Sequence, residues 1–169
     1  MRTDTLFFQL FQSFHTLLFK LIDRQYCTYN AAGELTQITD PDSTYSYTYD
    51  LDGRMLSVSN EGTPNLPTTI MSYSYDNVGN VLSMTDTING SLGIATTREY
   101  DALNRLTVNA QGYKQVNYAY NAISQVINKY RYSVNNLVAE TNHTYDSLNR
   151  LTNITHSKGT DVIASYSQT

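Results

Sequence analysis

The sequence predicts an all-β chain of tandem antiparallel hairpins stacked into a curved, open sheet, preceded by one amphipathic helix. Three observations predict it. Fifteen Tyr, five Phe and no Trp, with only 15% charged residues, favour strands and turns over surface helices. A twelve-residue phrase recurs six times, the mark of a repeat architecture. Each copy carries Asp or Asn and then, three residues later, Gly, Asn or Ser, the spacing of a tight turn. At 169 residues and 19.1 kDa the chain could hold one ordinary domain with its own core, or a run of short repeats sharing one.

The first element covers residues 1–24. Phe7, Phe11, Phe14, Leu18 and Leu21 fall on one side of a helix and Gln9, Gln12, Thr16 and Lys20 on the other, with Asp4 placed to cap the start. A signal peptide is the rival reading. Against it, Gln9, Gln12 and His15 interrupt the apolar region and no small-residue cleavage site follows. The same polar breaks argue against a membrane span. The expectation is a helix that packs on the first repeat or stays loosely attached.

Residues 25–169 hold the repeats. They read YNAAGELTQITD from Tyr29, YDLDGRMLSVSN from Tyr49, YDNVGNVLSMTD from Tyr75, YDALNRLTVNAQ from Tyr100, YNAISQVINKYR from Tyr120 and YDSLNRLTNITH from Tyr145. After each anchor Tyr stands Asn30, Asp50, Asp76, Asp101, Asn121 or Asp146. Three residues on stands Gly33, Gly53, Gly79, Asn104, Ser124 or Asn149. Asp or Asn bonds back to the turn backbone, and Gly or Asn takes the positive φ at its end, which makes a hairpin with a glycine-type bulge. Ser124 fits this poorest, so the fifth hairpin is expected to be the least well formed. Two residues past that column come Leu35, Met55, Val81, Leu106, Val126 and Leu151, each expected to face inward on the return strand.

Tyr47, Tyr73 and Tyr118 precede their anchors by two residues, a spacing that puts both rings on one sheet face. A tyrosine ladder is therefore expected from Tyr29, Tyr47, Tyr49, Tyr73, Tyr75, Tyr100, Tyr118, Tyr120 and Tyr145. The linkers vary from PDST at 41–44 to EGTPNLPTT at 61–69 and TINGSLGIATT at 87–97, as surface loops do. The closing VIASYSQT reads as the opening strand of a seventh hairpin.

The Tyr-Asp columns resemble the YD repeat of the Rhs family, whose relatives occur in bacterial polymorphic toxins, insecticidal toxin complexes and teneurins. The resemblance spans about residues 25–169. It implies hairpins stacked edge to edge into a strip that coils into a hollow shell, commonly around a C-terminal toxin. It also implies a bacterial protein, secreted or at the cell surface, whose partners are the rest of an Rhs protein and its toxin cargo. Complete members carry many more repeats and a core segment with an Asp-Pro motif. Here the sole Asp-Pro is Asp40-Pro41, in a linker, so the chain reads as a fragment.

Chemistry-bearing candidates reduce to structure. The recurring Asp is replaced by Asn30 and Asn121, an exchange that an acid catalyst would not survive. His15, His143 and His156 lack metal-ligand spacing. Cys27 sits in the Tyr47 column and reads as a small buried apolar group. No nucleophile elbow or phosphate-cradling loop is present. The sequence thus predicts a non-enzymatic structural segment that needs no cofactor or metal. With a net charge of −4 and eleven scattered Lys and Arg, nucleic acid is not an expected partner. The alternative reading is a carbohydrate-binding or adhesion module, because Tyr faces flanked by Asp, Asn and Arg suit polyols. Open sheet edges also predict self-association.

Overall fold

The computed structural model describes residues 25–168; the amphipathic helix expected over 1–24 lies outside them. Every regular element among the described residues is a strand, and every pairing is antiparallel. The chain divides into two compact units.

The first unit takes residues up to Ser72 together with Thr87–Leu92. It contains β1 (Tyr26–Tyr29), β2 (Leu35–Thr39), β3 (Thr44–Tyr49), β4 (Met55–Ser59) and the start of β5 (Thr69–Tyr75). Consecutive strands pair, with Cys27 opposite Ile38, Ile38 opposite Tyr45, Tyr47 opposite Val58 and Val58 opposite Met71. Opposed residues share a face, so Cys27, Ile38 and Tyr45 form one cross-strand row and Tyr47, Val58 and Met71 a second beside it. The linkers close on this unit through side chains. Thr63 Oγ1 donates to the Thr44 carbonyl at 2.9 Å and accepts the Thr44 N–H at 3.0 Å. Asn89 and Thr68 exchange two bonds, at 2.8 and 3.0 Å.

The second unit takes Tyr73–Asp86 and the residues from Gly93 on. It holds the end of β5, most of β6 (Val81–Ile88), β8 (Thr96–Tyr100), β9 (Leu106–Gln111), β10 (Lys114–Tyr120), β11 (Val126–Ser133), β12 (Asn136–Tyr145), β13 (Leu151–Lys158) and β14 (Asp161–Ser167). The two-residue β7 (Ser91–Leu92) belongs to the first unit. From β8 onward each strand pairs with the next in chain order.

Neither unit has a buried apolar core among the described residues. Leu35, Met55, Val81, Leu106, Val126 and Leu151, expected to face inward, are half-buried. Strand neighbours shield their flanks, and no buried apolar layer lies against them. The expectation for Cys27 is likewise corrected: it is exposed. It lies in the row of Ile38 and Tyr45, but β1 pairs on one side alone among the described strands, so nothing flanks it on the other.

The fifth hairpin also departs from expectation. Ser124 takes φ 66°, beside 58° at Asn104 and 65° at Asn149, and its N–H reaches the Asn121 carbonyl at 3.1 Å like its counterparts. The turn bonds hold serine in a conformation that costs an L-residue roughly 1–2 kcal/mol. Ser124→Gly should therefore stabilise the chain by about 1 kcal/mol in urea unfolding, and Ser124→Val should destabilise it. Equal midpoints for all three proteins would contradict this.

Candidate functional site

The unit that recurs is a corner made by the anchor Tyr and the five residues after it. The strand register slips by one just before the anchor, at Thr28/Tyr29, Thr48/Tyr49, Glu99/Tyr100, Ala119/Tyr120 and Thr144/Tyr145, the bulge that lets the chain reverse. Asp50 Oδ1 then accepts two main-chain N–H groups, from Asp52 and Arg54, both at 2.9 Å. Asn30, Asp76, Asp101, Asn121 and Asp146 make the same pair of bonds with the residues two and four positions on, between 2.8 and 3.1 Å. Gly33, Gly53 and Gly79 take φ of 83°, 76° and 96° at the end of the reversal. A Cβ on Gly53 would meet Glu34 Oε1 at 2.9 Å, the tip of a side chain free to swing aside, so it is conformation that holds this glycine.

The remaining atom of the Asp or Asn side chain meets the residue four positions on, a column in which the sequence pattern shows only polarity. Where the corner residue is Asp, its Oδ2 accepts from a donor: Arg54 Nε, Arg105 Nε and Arg150 Nε at 2.7 Å and Asn80 Nδ2 at 2.8 Å. Where it is Asn, its Nδ2 donates to an acceptor: Glu34 Oε2 at 2.6 Å and Gln125 Oε1 at 2.7 Å. The two columns match donor to acceptor in all six copies. That correlation is the signal by which the sequence could have shown the pair.

Electrostatics agree with this role. The Asp50 carboxyl is held below its ordinary 3.8 first by the Arg54 main-chain N–H, and that of Asp101 first by the Arg105 side chain. The Arg150 main-chain N–H does the same for Asp146. At Asp76 partial burial pushes the other way, and the bonds from Asn80 and Val78 outweigh it. These carboxylates are spent on their own turns. Among the described residues no cluster of His, Cys, Asp and Glu could hold a metal ion.

Two further kinds of contact tie corners to their neighbours within a unit. Tyr49 Oη donates to the Leu35 carbonyl at 2.8 Å, Tyr100 to Val81 at 3.1 Å, Tyr120 to Leu106 at 2.7 Å and Tyr145 to Val126 at 2.9 Å. In each case the acceptor opens the return strand of the preceding repeat. Forward contacts come from the fourth-position column. Arg105 Nη1 reaches the Asn121 carbonyl at 3.2 Å and Ser124 Oγ at 3.3 Å, with its guanidinium 4.7 Å from the Tyr120 ring centre. Gln125 Nε2 donates to the Asn149 carbonyl at 3.0 Å, and Asn80 Nδ2 to Asn104 Oδ1 at 3.1 Å. Burial around Tyr120 pushes its phenol above the ordinary 10.0.

Of the ladder residues, Tyr47, Tyr73, Tyr75 and Tyr118 are half-buried, and Tyr29 on β1 is 62% exposed. His143 stands opposite Ile154 and His156 opposite Thr141.

Swapping Asp101→Asn and Arg105→Gln together recreates the amide pair found at Asn121 and Gln125. Each single change should lower the urea midpoint, and the double variant should recover much of the loss. Simple additivity in this cycle would show that the two columns are not coupled.

A family model described as RHS Repeat matches residues 29–64 and 75–114. No curated protein matches the chain. Among solved structures, the crystal structure of TcdB2-TccC3-TEV is similar at 14% identity over 85% of this chain, with a TM-score of 0.49. The structure of a Photorhabdus luminescens Tc holotoxin pore carrying a TccC3 mutation is similar at 15% identity over 79%, with a TM-score of 0.46. This chain spans 10% and 9% of the lengths of those two chains.

Proposed function

This chain carries RHS repeats at residues 29–64 and 75–114, and from that premise we propose that it is a non-enzymatic wall segment of an Rhs-type toxin shell. The observation that supports this most is the tyrosine bond from a corner to the carbonyl of the repeat before it, seen at Tyr49, Tyr100, Tyr120 and Tyr145. Such a link can be made again by every repeat added, so a strip built this way lengthens without a new core. A long strip of twisted sheet curves, and a curved strip can wall off a space. In this reading residues 25–169 form six repeats and the start of a seventh. The rest of an Rhs protein supplies the remaining wall and the toxin cargo. The anchor hydroxyls named above are spent on main-chain carbonyls, which leaves less of the tyrosine face for a glycan.

The test is protease protection of the sequence encoded immediately downstream, produced together with this chain. A shell segment predicts a core and effector sequence there that is digested more slowly in the presence of the chain than alone. Equal digestion, or a neighbourhood without such a sequence, would overturn the shell reading.

A further inference from the structure

The cations of the second unit fall into two classes. Arg105 and Arg150 are neutralised at 2.7 Å by the Asp of their own corners. Arg98, Lys114, Lys129, Arg131 and Lys158 have no acidic partner among the described residues, and of these Lys129 and Arg131 stand two residues apart on β11. Lys129 stands opposite Tyr118 on β10 and Thr141 on β12, and Thr141 stands opposite His156 on β13. Arg131 stands opposite Val116 and Ala139. Opposed residues share a face, so Lys129, Arg131 and His156 project from the side that carries Tyr118. Lys114, His143 and Tyr120 alternate onto the same side of their strands.

Of the three acids on strands β8 to β14, two lie on the other side and the third stands at the turn of the last hairpin. Glu99 and Glu140 alternate onto the opposite side, the latter bonded to Asn128 Nδ2 at 2.7 Å, and Asp161 sits at the β13–β14 turn opposite Lys158. The cationic side chains are also held in place. Lys129 Nζ lies 6.0 Å from the Tyr118 ring centre, and Arg131 Nη1 donates at 2.7 Å to Thr141 Oγ1, which bonds His156 Nδ1 at 2.8 Å. Thr141 is 2% exposed, so this chain of bonds is shielded from water at its centre. The positive field reaches His143, whose imidazolium is disfavoured by burial first and then by Lys129.

We propose that this face of β10–β13 docks an extended acidic polypeptide segment, with carboxylates paired to Lys129 and Arg131. The spacing selects the partner. Side chains two apart on a strand stand roughly 6.8 Å apart, and so do alternate carboxylates of an extended acidic peptide laid along β11. A nucleic acid fits less well, because the Tyr118 ring already lies beside Lys129 and the cations form a patch rather than a track. The assignment does not depend on the shell reading.

The test is fluorescence anisotropy of labelled deca-glutamate with the full chain near neutral pH, at low and at physiological salt. Binding should weaken with salt, fall about tenfold in the Lys129→Gln/Arg131→Gln double variant, and stay unchanged in Glu99→Gln, whose side chain is on the opposite side of the strands. Lys129→Arg should retain it. If the double variant loses its strand signal in circular dichroism, Lys129→Gln alone decides: weaker binding supports the site and unchanged binding overturns it. Absence of binding at low salt, equal binding by a folded double variant, or tighter binding of an oligothymidine of the same length would each overturn the proposal.

Discussion

A tyrosine hydroxyl donating to a main-chain carbonyl one repeat back is the contact on which the rest of the architecture depends. With no apolar side chain buried among the described residues, the hydrophobic driving force that holds most domains together is reduced to half-covered flanks. What remains are ladder hydrogen bonds and contacts made in and near the plane of the sheet. The turns that join hairpins of different repeats follow no common pattern: Gly112–Tyr113 and Val134–Asn135 make two-residue reversals, and Asp40 closes the one before β3 through Asp42 and Ser43. The tyrosine makes the contact that recurs at these junctions while the turns differ. Its ring covers the strand junction, and its hydroxyl satisfies a carbonyl next to the bulge, contributing about 1 kcal/mol for each such bond.

The corner beneath it explains why the chain uses Asp and Asn interchangeably. One side-chain oxygen closes the reversal by taking two amides, and either residue offers that oxygen. The other atom decides the partner: an oxygen calls for Arg54, Asn80, Arg105 or Arg150, and a nitrogen calls for Glu34 or Gln125. Through Arg105, Gln125 and Asn80 the same column reaches the next corner. The repeats of Tyr100 and Tyr120 therefore hold their predecessors by a hydroxyl and their successors by a polar side chain.

How much of this is legible in the sequence follows the range of each interaction. The strand class and the reversals are legible because Asp or Asn, and Gly three residues later, are requirements met within five consecutive residues. Ser124 misleads because positive φ in a non-glycine residue is a modest cost that the Asn121 bonds outweigh. Cys27 misleads because its column assigns a face but not a neighbour, and β1 has a partner on one side only among the described strands. The tyrosine bonds are not legible: their acceptors are main-chain carbonyls 14 or 19 residues away, and a carbonyl carries no residue identity. Lys129 and Arg131 escape notice for a related reason. Scattered singly along the chain, they meet His156 only through cross-strand register.

Amide hydrogen exchange on a variant carrying Tyr→Phe at positions 49, 100, 120 and 145 tests the central claim most directly. Loss of the four hydroxyls should speed exchange at the pairings between repeats, β2 with β3, β9 with β10 and β11 with β12, and leave the pairings within hairpins, such as β3 with β4 and β12 with β13, nearly as protected as before. Unchanged protection between repeats, or an equal loss at both kinds of pairing, would contradict the account.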